Sequence, residues 1–180
     1  MNKNRRDRAL VERCKRGDRE ALEQLVRHYE KPIYNAAIRI LGNPDDAADA
    51  TQATFLKAFM RIEQFDPGYN FFSWIYRIAI NESLDQGKYG KKQQPLDGSE
   101  TTTSQGPEDK AEADNLFREA QDELMKLKAK YRVVIMLRHF ADCNYGQISE
   151  VLQIPEKLVK SRLYSARQLM RASLLARGIH

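Results

Sequence analysis

Between residues 157 and 170, Lys157, Lys160, Ser161, Tyr164, Ser165 and Gln168 fall on one side of a helix. Val159, Leu163, Ala166 and Met170 fall on the other at steps of four, three and four. The outer set holds donors, acceptors and an aromatic ring, and no acid. Such a face suits the major groove of a duplex, where short polar groups reach base edges and cations meet phosphates. Arg162, Arg167 and Arg171 at its flanks could grip the backbone. A second cluster gathers Phe65, Tyr69, Asn70, Phe71, Phe72 and Trp74 around a loop and helix start, with Arg77, Asn81 and Lys88 downstream on a helix face shared with Ser73. Aromatic platforms beside cations hold unpaired bases, and an amide such as that of Asn81 can read the Watson–Crick edge of a base that has left the stack. Phe71, Trp74, Ile75 and Ile78 also make a good core stripe, and for Trp74 taken alone the core is the stronger reading.

Covalent chemistry finds no comparable support. Cys14 and Cys143 lie far apart, and His28, His139 and His180 are scattered. No CxxC pair, metal-ligand spacing or nucleophile–base set is present, so no cofactor and no metal are expected and an enzyme is disfavoured. Cysteine usage of this kind points to a reducing, cytoplasmic setting. No run of about 18 apolar residues occurs, and the charged N-terminus lacks the apolar stretch of a signal peptide. With 30 Lys and Arg against 25 Asp and Glu, the net charge is only +5. That fits a polyanionic partner without requiring one, because the local field decides.

Helices must position these groups. Leu22, Leu25, Val26, Tyr29, Ile33, Ala36, Ala37, Ile40 and Leu41 recur at helical steps. Asp18 is the expected N-cap and Gly42 the stop, and Pro32 predicts a kink or break near Lys31. After Asn43-Pro44, Asp45 or Asp46 is expected to cap a second helix carrying Ala47, Thr51, Phe55, Ala58, Phe59 and Ile62 on one side. A Pro-Gly loop at residues 66–69 precedes a third helix from about Phe71 to Gly87. The stretch 88–114 holds few large apolar residues and reads as a flexible linker. Periodicity resumes at Leu116 and runs through a dense apolar stretch, Val133 to Leu137. It ends in a helix capped by Asn144, a break at Ile154-Pro155, and a last helix with Pro155 at its first position. The turn between these two lacks the usual Gly, so Gln153 or Ile154 must take another geometry or some backbone strain. The expectation is an all-α chain with one domain at 1–89, a flexible linker at 90–115, and a helix–turn–helix domain at 116–180.

Three segments resemble the extracytoplasmic-function group of bacterial sigma factors, the first of them holding Asp49, Gln52 and Phe55 as in that family's clamp-docking helix. The run Phe72-Ser73-Trp74-Ile75-Tyr76-Arg77-Ile78-Ala79-Ile80-Asn81 looks like that family's promoter-melting helix. Ile154-Pro155 followed by Val159-Lys160-Ser161-Arg162-Leu163 looks like its helix–turn–helix. The resemblance implies that Asp46, Asp49, Gln52 and Phe55 dock on the clamp of core RNA polymerase. Phe65, Asn70, Phe72, Trp74, Arg77, Asn81 and Lys88 would serve the melted minus-ten strand, with Phe65 and Asn81 at a pocket for a flipped base. Lys157, Lys160, Ser161, Arg162, Tyr164, Ser165 and Arg167 would serve the minus-thirty-five duplex. The implied partners are the clamp and flap of core polymerase, promoter DNA, and an anti-sigma protein that is often membrane-bound, with no membrane insertion by the chain itself. Ala53 stands where the family usually carries Glu, and Lys128 where it often carries Pro. The rival from the residues alone is a free-standing helix–turn–helix regulator that binds duplex without polymerase.

Overall fold

The computed structural model describes residues 3–93, 118–119 and 121–176, and every regular element among them is helical. Helix α1 (Lys3–Lys15) is not evident from apolar periodicity. It is held instead by Leu10 and Val11 and by a buried carboxylate, Asp7, which accepts a 2.5 Å hydrogen bond from the Tyr29 hydroxyl. Burial, reinforced by that carboxylate, pushes the Tyr29 phenol above its ordinary range.

Helix α2 (Arg19–Leu41) starts where Asp18 accepts the Ala21 N–H at 3.1 Å and stops at Gly42. Gly42 takes the left-handed conformation (φ +79°) and donates to the Ile38 carbonyl at 2.8 Å. That φ favours glycine, and the Met125 side chain lies 3.1 Å from where a Cβ would stand. Of the kink or break expected near Lys31, the break is absent, and the helix runs on through Pro32. Its flanking turns bury Leu25, Tyr29, Ile33 and Ile40, and that packing outweighs the loss of one backbone bond.

Helix α3 (Pro44–Met60) is capped by Asn43 rather than by Asp45 or Asp46. The Asn43 side chain accepts from the N–H groups of both, at 2.8 and 3.0 Å, and Pro44 takes the first helical position. The two aspartates then sit in the first turn, where the helix dipole favours them. A short 3-10 turn (Ile62–Gln64) and a loop tightened by the Gly68 N–H on Asp66 lead to α4 (Phe71–Gln93). Asn70 caps α4 by accepting from the Phe72 N–H at 3.1 Å. Because α4 continues to Gln93, residues 90–93 of the expected linker are helix. The rest of that linker, 94–115, lies outside the described residues.

The C-terminal half begins with a helical segment at 121–126 (α5) and α6 (Ala129–Ile135), which widens into a π turn over Met136–Phe140. Helix α7 (Tyr145–Leu152) opens with a reciprocal capping box. Asn144 accepts from the Gln147 N–H and the Gln147 side chain accepts from the Asn144 N–H, both at 2.9 Å. Such a cap contributes about 1 kcal/mol. Gln153 turns the chain in the left-handed region (φ +54°), the strain expected of a turn without glycine. Helix α8 (Glu156–Ala176) follows, with Pro155 one residue ahead of it and its carbonyl accepting from Leu158 and Val159.

The halves do not stand apart. Their buried residues form one continuous core, from Leu25 and Ile33 through Ile75 to Val134, Leu137, Ile148 and Leu163. The C-terminal end of α2 is bonded across the seam. Gln121 Nε2 donates to the Ile38 carbonyl at 2.9 Å, and Arg132 donates to the carbonyls of Ile40 and Leu127. The Arg39 guanidinium lies 3.6 Å over the Phe140 ring. Arg132 is 7% exposed, and burial lowers its pKa from the ordinary arginine value.

Candidate nucleic-acid interface

The face on α8 is built by its own packing. Val159, Leu163 and Ala166 are buried against α6 and α7. That rotation leaves Lys157, Lys160, Ser161, Tyr164, Arg167 and Gln168 exposed. Tyr164 is 68% exposed, which for a large aromatic costs hydration unless something covers it. Lys160 Nζ lies 3.9 Å from Glu156 and 5.5 Å over the Tyr145 ring, and Arg167 leans on His139 at 3.4 Å. Beyond Glu156 the helix holds no acid. Ser165 is half-buried at the edge of this face. Arg162 is half-buried as well and is separated from the others. It lines a cleft of about 380 Å³ against α4, with Arg77, Asn81, Lys130 and Gln153.

The aromatic cluster divides in two. Phe65 is 2% exposed and packs edge-on against Trp74 and Phe71, with centroids 5.2 and 5.6 Å away. In this arrangement the Phe65 ring belongs to the core and offers no face to a base, because Phe71 and Trp74 already cover it. Its carbonyl is fixed by Lys15 Nζ at 2.9 Å. Trp74 is half-buried, and Phe72 stacks on Tyr76 with centroids 4.2 Å apart. Asn81 and Lys88 are exposed, the latter paired with Asp85 at 2.9 Å. Asn70, Ser73 and Arg77 meet α7 instead. Glu150 receives the Asn70 N–H at 3.4 Å and the Ser73 hydroxyl at 2.8 Å, and its backbone carbonyl receives Arg77 Nη2 at 2.9 Å.

Residues 25–92 match the family model for sigma-70 region 2, and residues 117–170 match that for sigma-70 region 4. The chain is 33% identical to the ECF RNA polymerase sigma factor SigW of Bacillus subtilis, over 91% of this chain and 94% of that one. The chain belongs to the ECF group of sigma factors. It is also 28% identical to the RNA polymerase sigma-H factor of Pseudomonas aeruginosa, over 93% of each chain. Among solved structures, CnrH in complex with the cytosolic domain of CnrY matches with a TM-score of 0.77 at 25% identity, over 95% of this chain and 98% of that one. A sigma factor is a transcription initiation factor, and the two-domain all-helical reading of the sequence agrees with both matched regions.

In this sigma factor the residues expected to dock polymerase sit on α3. Asp49 and Gln52 are exposed and Asp46 half so, whereas Phe55 is 8% exposed and stacks on Phe59. Phe55 therefore lies inside, at the floor of a groove of about 690 Å³ between α2 and α3, and Gln52 stands on the rim. Beside Gln52 are two residues that sequence reasoning missed. Leu56 is 59% exposed and Met60 83% exposed. The available signal was their four-residue spacing on the side of α3 away from the Ala47–Thr51–Phe55 stripe, where apolar residues have no intramolecular reason to be. Among the described residues no helix is long and apolar enough to cross a membrane, and no group of three or more His, Cys, Asp or Glu could hold a metal.

Proposed function

We propose that this sigma factor divides promoter recognition between two surfaces, with a third for polymerase. The exposed face of α8 takes the upstream duplex element, Lys157, Lys160 and Arg167 meeting phosphates while Ser161, Tyr164 and Ser165 meet base edges. The α4 side takes the melted strand through Asn70, Phe72, Trp74, Arg77, Asn81 and Lys88. It binds only bases that have left the stack, and so shifts a breathing duplex toward the open state. The α3 rim and the α2–α3 groove take the clamp of core RNA polymerase, with Asp46, Asp49, Gln52, Leu56 and Met60 on the contact side. The chain performs no covalent chemistry and works in the cytoplasm, and an anti-sigma protein holds it inactive. The matched CnrH structure, a complex with the cytosolic domain of CnrY, supports the last point.

The observation that carries this reading is the outer side of α8, which beyond Glu156 in its first turn holds no acid, with Tyr164 standing 68% exposed on it. The test is co-purification with core RNA polymerase followed by run-off transcription on genomic fragments. New transcripts that depend on this chain are expected. A chain that neither binds core enzyme nor redirects it overturns the proposal.

A further inference from the structure

The groups that converge on Glu150 are those a nucleic-acid phosphate would use. The Asn70 N–H at the start of α4 and the Ser73 hydroxyl each reach one carboxylate oxygen, at 3.4 and 2.8 Å, and Arg77 reaches the backbone carbonyl of the same residue at 2.9 Å. Ser73 is 1% exposed, so its hydroxyl is committed to this contact and shielded from water. The Nε of Arg77 is buried without a hydrogen-bond partner, leaving donor capacity that a backbone carbonyl does not use. The adjoining cleft gathers Arg77, Lys130 and Arg162 around Asn81, and no acid lines it. A helix start and a buried hydroxyl favour an anion, and the helix–turn–helix itself supplies one in the Glu150 carboxylate. The three cations of the adjoining cleft, which Glu150 does not line, add to the positive field beside it.

We propose that Glu150 is an intramolecular occupant of the strand site: its carboxylate holds the place of a phosphate of the melted DNA strand, and the free chain masks that site until its two halves part. This rests on the reading of α4 as the strand-binding surface. A strand and α7 cannot both meet Ser73 and Arg77, so single-stranded DNA and the closed arrangement compete. Anything that draws α7 away exposes the site. The interface is therefore reciprocal, since a bound strand equally disfavours closure.

The test measures the full chain with a fluorescein-labelled single-stranded 12-mer of mixed sequence, by anisotropy, alongside small-angle X-ray scattering. Glu150→Ala is expected to increase the radius of gyration and to tighten strand binding on the order of ten-fold, the worth of a charge-assisted hydrogen-bond pair. Glu150→Gln keeps the shape of the side chain, so it folds where alanine does not, and it is expected to show part of the gain. Adding Ser73→Ala and Arg77→Ala should erase the gain. Glu63→Ala, which makes the same charge change at an exposed position, should leave affinity unchanged. The proposal is overturned if the Glu150 variants bind no more tightly than the parent, if they bind more tightly without opening, or if Glu63→Ala gains as much. Core-polymerase binding and run-off transcription by the parent chain are measured separately, and their failure would count against the sigma reading instead.

Discussion

Salt dependence gives the sharpest test of the α8 face. Three cations, Lys157, Lys160 and Arg167, stand exposed on its groove side. If each neutralises one phosphate, the log–log slope of affinity against salt is about −2.7, at roughly 0.9 per contact. Between 50 and 200 mM salt that slope costs about 40-fold in affinity, and removing one cation reduces the cost to about 12-fold. Lys160 must leave Glu156, 3.9 Å away, to reach a phosphate. Exposed pairs of this kind are worth about 0–1 kcal/mol, too little to cancel the contact. The assay is fluorescence anisotropy of the full chain on a duplex of mixed sequence, titrated at four salt concentrations. Lys160→Ala should lower the slope by about 0.9, whereas Tyr164→Ala should leave it unchanged and weaken binding only to preferred sequences. An unchanged slope in Lys160→Ala would refute the placement of this face against the DNA backbone.

Three further outcomes follow from particular residues. Asn81→Ala should reduce permanganate reactivity of promoter thymines in complexes with core polymerase while leaving core binding intact, and undiminished melting would remove Asn81 from the strand surface. At Gln153, glycine relieves about 1 kcal/mol of left-handed strain but adds unfolded-state entropy and loses the side-chain bond to the Glu150 carbonyl, so Gln153→Gly should be nearly neutral in urea denaturation. Gln153→Val should lose about 1–2 kcal/mol, and equal tolerance of both would refute the strain. Partial burial, then the charges of Arg167 and Arg138, hold the His139 pKa below its ordinary value. Below about pH 6.5 the unfolded chain therefore binds more protons than the folded one. Stability should fall as pH drops through that range, and less so in His139→Gln.

Local rules made much of this fold legible. Asp18, Gly42 and the Asn144–Gln147 box act over one turn, and the four-residue spacing of Leu25, Tyr29 and Ile33 says which side of α2 is buried. The cap of α3 differs because Asn43, ahead of Pro44, accepts from the N–H groups of Asp45 and Asp46 and starts the helix early. The Ala47 N–H thus already bonds the Asn43 carbonyl, and the two aspartates fall inside the first turn. Helix α1 was hidden because its hold on the core runs through Asp7, a residue type that periodicity counts as surface. On α8 the exposed face could be read from spacing alone. On α4 it could not, since Phe65 and Phe72 are of the same chemical type and only packing against Phe71 and Trp74 tells the buried ring from the half-open one.

The seam between the halves was beyond any local rule, because Gln121 meets Ile38, Arg132 meets Ile40 and Glu150 meets Ser73 across spans of more than 70 residues. Its chemistry nevertheless bears on how it opens. Gln121 and Arg132 donate to backbone carbonyls at the end of α2, groups that water can satisfy once the halves part, so each such bond has a net worth of about 1 kcal/mol. Arg132 also gives back part of its contribution through burial of its charge, the same burial that lowers its pKa. The closed arrangement is thus a sum of small polar terms laid over shared apolar packing. Moving such an equilibrium from about 1:99 to 99:1 takes roughly 5.5 kcal/mol of differential affinity. A polymerase surface filling the α2–α3 groove bears on the N-terminal half, and one that meets the helix–turn–helix domain bears on the other. A strand that displaces Glu150 bears directly on the seam, so DNA filling the site and a polymerase that holds the two domains apart favour the same parted state.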